Sequence, residues 1–443
     1  MTPVIAILDI GKTNKKLLVF DEEYHLLLEH QQSIPEILDE DGDPCEDLEQ
    51  LTRFVRTSID SLAVNKEYDL RAINFAAYGA SFVYVDENGK PLTPLYNYLK
   101  PYPQGLKDQF YSRYGGEQNF SMQSASPVLG SLNSGMQLYR LKYEQPDIYS
   151  RIEWALHLPQ YISYLVSGVA VSELTSIGCH TNMWDFMQNK YHRWIEEEGV
   201  ERILPPIVAS DAVNTVEYCG NDIVIGAGLH DSSAALVPYL LNIDQPFVLI
   251  STGTWCISLN PFNESPLTGP ELQQDCLCYM STTGRQVKAS RLFAGSEHEK
   301  QAKKLAAFFD RPPDYFDSLA FEEQYVDVDG NYEEDHLGVY SNYHEAYHRL
   351  IGKLVKEQVA STQLVLRNSA ASHIFVDGGF GKNDIYMHLL ARAFEGYDVY
   401  ASTVPQASAI GAALSIHKSW NSNPLPASLI RLKKYTSQKQ LHS

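Results

Sequence analysis

The sequence predicts an α/β protein built as two similar halves, and three stretches carry that expectation. Residues 4–9 form an apolar run ending in Asp9; a polar turn at 11–14 follows, and a second run spans 16–20. Residues 247–251, the turn Thr252-Gly253-Thr254 and the run 255–259 repeat the arrangement just past the middle of the chain. Residues 373–377 form a third run that ends at Gly378-Gly379. There Asn383 or Asp384 is placed to cap a helix whose apolar positions include Ile385, Leu389, Leu390 and Phe394. Apolar runs around polar turns read as buried strands, and strands alternating with capped helices read as α/β.

With 443 residues the chain exceeds one comfortable core, at ~150 residues per domain. The breaks at Pro205-Pro206 and Asn242 to Pro246 put a boundary near 243, giving halves 1–242 and 243–443. Asp and Glu number 55 against 35 Lys and Arg, a formal charge of −20, which repels a phosphate backbone and argues against nucleic acid as a partner. No run approaches the ~18 apolar residues of a membrane span, and the start lacks a basic leader with a cleavage site, so a cytoplasmic protein with no membrane partner is expected. The six cysteines form no CxxC pair or Cys/His quartet and read as small buried hydrophobes. Two acidic stretches, 39–43 and 327–335, have the flavour of calcium loops. Pro44 and Tyr332 stand where the loop needs Gly, so both read as solvated loops.

The turns carry the chemistry. Asp9-x-Gly11-Lys12-Thr13-Asn14-x-Lys16 can aim backbone N–H groups and side-chain donors at a phosphate, and Asp9 at the strand end could hold Mg²⁺. Thr252-Gly253-Thr254 offers a second such nest in the matching place. Each alone also reads as an ordinary turn, but a polyphosphate in a cleft needs donors from both walls. Gly378-Gly379 permits the close approach of a nucleoside to the backbone. Gly226-Ala-Gly228-Leu-His230-Asp231 begins like a dinucleotide fingerprint, yet Asp231 occupies the third glycine position. Asp231 reads as the cap of a helix over 232–241, and as a carboxylate able to take a hydroxyl proton.

In order and spacing these motifs resemble the FGGY carbohydrate kinases of the actin-like ATPase superfamily, over about residues 4–416. The stretch 9–16 is similar to the family's first phosphate motif and 251–254 to its second. Residues 377–383 with 407–413 resemble the adenosine segment, and Gly228 to Asp231 matches the place of the catalytic Asp. The resemblance implies two ribonuclease-H-like domains around a central cleft, with the sugar on 1–242 and ATP on 243–443. It further implies ATP contacts from Gly11, Lys12, Thr13, Asn14, Lys16, Thr252, Gly253, Thr254, Gly378, Gly379 and Asn383. Mg²⁺ would be held by Asp9 and Asp231, with Asp231 as general base.

On the sugar side, Tyr78-Gly79 and the His230-Asp231 pair look like rhamnulokinases and fuculokinases, and Asn97 falls where the family places a polar sugar contact. Tyr78, Gly79, Asn97, His230 and Asp231 are therefore the expected sugar contacts, although strand aromatics also serve as core. The departures are Lys12 for the usual Thr, and Ser81 and Tyr98 where relatives carry Asp. Lys12 would reach a phosphate or face solvent. The expected reaction is ATP-dependent phosphorylation of a ketose, a deoxy-ketohexose such as L-rhamnulose or L-fuculose, with a ketopentose or polyol, or an inactive sugar-binding relative, as alternatives. Regulators of this fold carry an added helix-turn-helix, whereas this chain starts at its first strand, which favours the enzyme. The partners expected are the sugar and ATP, with the oligomeric state, a homodimer included, left open.

Overall fold

The computed structural model describes residues 1–326, 331–404, 406–426 and 429–436. Its first sheet has seven strands. The hairpin β1 (Thr2–Ile10) and β2 (Lys15–Phe20) is flanked by β3 (Leu26–Gln32) on one side. On the other side lie β4 (Tyr68–Ala77), parallel to β1, then β6 (Asn221–Gly226) and the edge strand β5 (Val213–Tyr218), while the short β7 (Leu229–His230) extends along β4.

The second seven-stranded sheet repeats this plan. The hairpin β8 (Phe247–Thr252) and β9 (Cys256–Asn260) has β11 (Gln286–Leu292) and β10 (Cys276–Met280) as its antiparallel wing. Parallel β12 (His373–Gly378) and β13 (Asp398–Thr403) lie on the other side, and β14 (Arg431–Tyr435) closes the edge.

Both hairpins read as unbroken apolar runs because both faces of their sheets are covered. In β1, Val4, Ala6 and Leu8 pack with Leu51, Phe54 and Val55 of helix α1 (Leu48–Ala63) and with Tyr161 and Ile162 of α2 (Leu158–Ser167). The alternate residues Ile5 and Ile7 point the other way, into a core shared with α3 (Asp231–Asn242) and with the second sheet. In β8, Phe247 and Leu249 meet that shared core, and Val248 and Ile250 face α4 (Ala294–Phe308) and α5 (Tyr343–Leu366). Each such aliphatic side chain contributes about 1.5–3 kcal/mol on burial, so a register slip in either hairpin would be severely destabilising.

α6 (Asp384–Ala393) is capped by Asn383, whose side chain accepts from the Tyr386 N–H, as expected. α7 (Ala407–Ser415) crosses α3 so closely that a Cβ on Gly411 would lie 1.8 Å from the Ala234 carbonyl oxygen. Beside this crossing, buried Asn74 donates to the Ala412 carbonyl at 2.7 Å and accepts from the Gly228 N–H at 3.1 Å. The α3–α7 pair and Asn74 form the joint between the halves.

Three expectations are corrected. Asp231 is the first residue of α3 and not its cap; His230 holds the cap position, and the Asp231 carboxylate accepts from the adjacent Ser232 N–H at 2.6 Å. Residues 39–43 are not a plain solvated loop, because the Lys100 ammonium sits among Asp39 (2.5 Å), Asp41 (2.8 Å) and Asp43 (3.7 Å). Cys219 is exposed, while the other thiols are buried as expected. Residues 327–330 of the second acidic stretch lie outside the described residues. Among the described residues no helix is long and apolar enough to cross a membrane.

Candidate active site

Sheet register brings the sequence motifs of the first half together. Ile10 on β1 pairs with Ala77 on β4, and Ala77 pairs with His230 on β7. The three chains therefore leave the sheet in one row, as Gly11, Tyr78 and Asp231, at the carboxyl ends of parallel strands, where open α/β sheets bind ligands. Asp9 lies one step back from this edge. The Gly11 N–H donates to the Asn14 carbonyl at 2.9 Å and closes the turn, leaving Thr13 exposed.

Two carboxylates dominate the electrostatics. Burial, followed by the charge of Asp231, pushes Asp9 up to about 7, with Lys16 pulling the other way. Asp231 is pushed up to about 6 by burial against the opposing Ser232 bonds. Among the described residues neither carboxylate has a lysine or arginine ion pair. Two hard oxygen ligands within electrostatic reach of each other, and with no cationic ion-pair partner among the described residues, suit a divalent cation, so the residues fit Mg²⁺.

His230 backs Asp231. Its ring is 3 % exposed and burial pushes it down to about 3, so it stands as a neutral imidazole. Nε2 lies 3.2 Å from Asp231 Oδ1 and 3.1 Å from Cys179 Sγ, and Nδ1 lies 3.3 Å from Ser233 Oγ. The contact with Asp231 is thus a polar contact of a neutral ring and no ion pair. Gly79 is explained by the same group, since a Cβ there would fall 2.4 Å from Cys179 Sγ and 3.1 Å from the His230 ring. His230, expected at the sugar, is buried behind Asp231. The role of Cys179 carried no signal in the sequence.

Lys12 departs from its phosphate expectation. Its ammonium bonds Glu36 at 2.7 Å and Glu46 at 3.0 Å, and lies 5.6 Å from the ring centre of Tyr98 and 6.0 Å from that of Tyr78. Two carboxylates next to one ammonium outweigh an exposed turn. Tyr78 is buried and meets Tyr98 edge-on at 5.9 Å. Asn97 donates to Glu36 at 3.0 Å. Lys15, buried, holds the other oxygen of Glu46 at 2.9 Å. Lys16 reaches across the halves to Gln406 at 3.1 Å and also pairs with Glu29.

In the second half, Thr252 pairs with Gly378 across β8 and β12, so both turns leave together. The Thr252 hydroxyl donates to the Asp377 carbonyl at 2.5 Å and accepts from the Phe380 N–H at 3.0 Å, and the Gly253 N–H donates to the Trp255 carbonyl. Both groups therefore hold the turns in shape, and Thr254 is the exposed hydroxyl of the motif. Gly378 has φ +91°, and a Cβ there would meet the Thr252 carbonyl oxygen at 2.0 Å, which only glycine avoids. Next to these turns lies a cavity of about 370 Å³, lined by Thr252, Gly253, His298, Phe316, Gly379 and Asn383 among others. That is the size of a small-ligand site. Tyr347 joins two of its walls, with its hydroxyl 2.8 Å from His298 Nε2 and accepting from the Asn383 amide at 2.8 Å. His298 and Phe316 belong to no motif and were not anticipated.

Comparison with known proteins adds three findings. Residues 4–237 match the FGGY family of carbohydrate kinases, N-terminal domain, and residues 244–424 match the carbohydrate kinase FGGY, C-terminal domain. A rhamnulokinase of Halalkalibacterium halodurans is 24 % identical over 261 residues, 56 % of this chain and 54 % of that protein. The chain spans about half the length of the curated relatives it matches. The fold is similar to a carbohydrate kinase from Novosphingobium aromaticivorans (TM-score 0.78, 22 % identity, 98 % of this chain and 94 % of that one). It is also similar to a xylulose kinase from Lactobacillus acidophilus (TM-score 0.80, 16 % identity, 99 % and 94 %).

Proposed function

The chain belongs to the FGGY family of carbohydrate kinases, and on that premise we propose that it transfers the γ-phosphoryl group of ATP to a hydroxyl of a ketose. A deoxy-ketohexose such as L-rhamnulose or L-fuculose is the acceptor class this reading favours. The sugar is assigned to the half 1–242 and the nucleotide to the half 243–443. The observation that carries the reading is the row Ile10–Ala77–His230, which sends the first phosphate turn, the aromatic Tyr78 and the carboxylate of Asp231 to one edge.

The chemistry asks little covalent work of the protein. Asp231 is the base that accepts the sugar hydroxyl's proton as its oxygen attacks the phosphorus. Without metal, its pKa of about 6 leaves the carboxylate about nine-tenths ionised at pH 7, the form a general base needs. Neutral His230 fixes one carboxylate oxygen and adds no charge that would weaken the base. Asp9 and Asp231 are the residues that would hold Mg²⁺, whose contribution is to neutralise charge on the transferring phosphoryl group. Gly11, Thr13, Asn14 and Lys16 on one side, with Thr254, Gly379 and the cavity beside Asn383 on the other, are the proposed nucleotide contacts.

The test is a screen of ketoses, aldoses and polyols with Mg²⁺ and ATP, coupled to ADP release. Turnover on a ketose above the other classes supports the reading. Absence of acceptor-dependent ADP release across the screen refutes it.

A further inference from the structure

We infer that Lys12 and Glu36 form the clamp that selects the acceptor, holding a pair of hydroxyls of a neutral polyhydroxy compound against the face of Tyr98. The inference rests on the kinase reading for its location and goes beyond it in naming residues that determine specificity.

Glu36 stands before a short excursion of the chain that is built to be rigid. Ile37–Leu38, Pro44–Glu46 and Leu95–Tyr96 zip into a three-stranded sheet. The buried Lys100 ammonium staples Asp39 and Asp41 across it. This brings Glu36 against Asn97 and Lys12, three residues from distant parts of the chain. Both bonds to Glu36 fall on Oε1. Among the described residues no bond falls on its other oxygen, which can take an incoming donor, and the side chain remains 42 % exposed. Lys12 uses two of its three N–H donors, on Glu36 and Glu46, and among the described residues the third has no partner. A carboxylate acceptor next to an ammonium donor, beside a tyrosine face, is the chemistry that recognises a vicinal diol: one hydroxyl gives, the other receives, and the C–H face packs on the ring.

The group stands near the proposed base: Lys12 lies 5.6 Å from the Tyr98 ring, Tyr98 meets Tyr78 at 5.9 Å, and Tyr78 follows Ala77, which pairs with His230 next to Asp231. Charge decides the class of acceptor. Lys12 and Lys15 balance Glu36 and Glu46, so the group presents no net charge and suits a neutral acceptor.

Calorimetry with L-rhamnulose, L-fuculose and D-xylulose as probes, and separately with MgATP, tests the clamp on the wild-type chain and on Glu36→Gln and Lys12→Met. Losing a charged hydrogen bond should weaken the best-bound probe by ~10-fold or more in each variant, with ATP affinity unchanged within about twofold. Glu36→Gln is isosteric at a half-exposed position, so it reports on recognition even where Lys12→Met disturbs folding. The clamp is overturned if Glu36→Gln binds the probe as the wild type does, if Lys12→Met weakens ATP in place of the probe, or if the wild type binds none of the probes. Probe binding that depends on Glu36 without any ADP release would uphold the clamp and refute the kinase reading.

Discussion

Asp9 is the residue whose replacement separates stability from function most cleanly. Folding raises its pKa from the ordinary 3.8 to about 7, so the folded chain binds this proton more tightly than the unfolded one. The associated stability is therefore fully present below about pH 4 and is lost as the pH rises through about 7. At about 1.4 kcal/mol per pH unit the full interval is worth about 4 kcal/mol. Asp9 is only partly buried as a residue, and solvent screening discounts this to about 2 kcal/mol. Asp9→Asn has no charge to bury. In EDTA, urea melts of the variant should show it gaining about 2 kcal/mol on the wild type between pH 4.5 and pH 8.5. With Mg²⁺ the wild type should recover much of that difference, and the variant should not, while its phosphoryl transfer collapses. Parallel stability–pH curves for the two proteins in EDTA, or equal Mg²⁺ stabilisation of both, would refute the assignment of Asp9 as a buried, metal-seeking carboxylate.

Asp231→Asn should lower turnover by ~10²–10⁴-fold while ATP binding survives, because Asn keeps the acceptor for the Ser232 N–H; near wild-type turnover would place the base elsewhere. In the wild type, kcat/KM should fall as the pH drops through the range where Asp9, at about 7, and Asp231, at about 6, take up protons, and a profile flat to pH 5 would contradict this. Gly79→Ala puts a methyl 2.4 Å from Cys179 Sγ, and should cost about 1–3 kcal/mol in denaturant melts and reduce turnover through a displaced His230; an unperturbed variant would show that the packing behind Asp231 is loose. If sugar and nucleotide occupy opposite halves, solution scattering should show a smaller radius of gyration with both bound than with neither, and superimposable curves would count against closure.

The sequence showed the strands because their apolar runs are covered on both faces, as Val4 to Leu8 are, and because the turns between them must be polar. It marked Asp231 as a candidate but misread its place in the helix, since a carboxylate at the first helical position and one at the cap leave the same mark in a linear pattern. The carboxylate partners of Lys12 were hidden for a different reason. Its destination is set by Glu36 and Glu46, which lie in no motif and arrive through a small sheet formed with residues 95–96. Likewise Cys179 reads as a small buried hydrophobe until the fold sets it against His230 and Gly79. Motifs on strand ends are legible because register carries them to the site; partners delivered by excursions are not.

The crossing of α3 and α7 has a mechanical consequence. Ala234, the contact point for Gly411, is three residues from Asp231, or about 4.5 Å along the helix axis. If the halves turned about this contact by ~10°, the head of α3 would travel less than ~1 Å, whereas points farther out would sweep in proportion to their distance. A hinge so placed would be a nutcracker with its anvil beside the rivet: jaws that swung widely would leave the proposed base, Asp231, almost at its post.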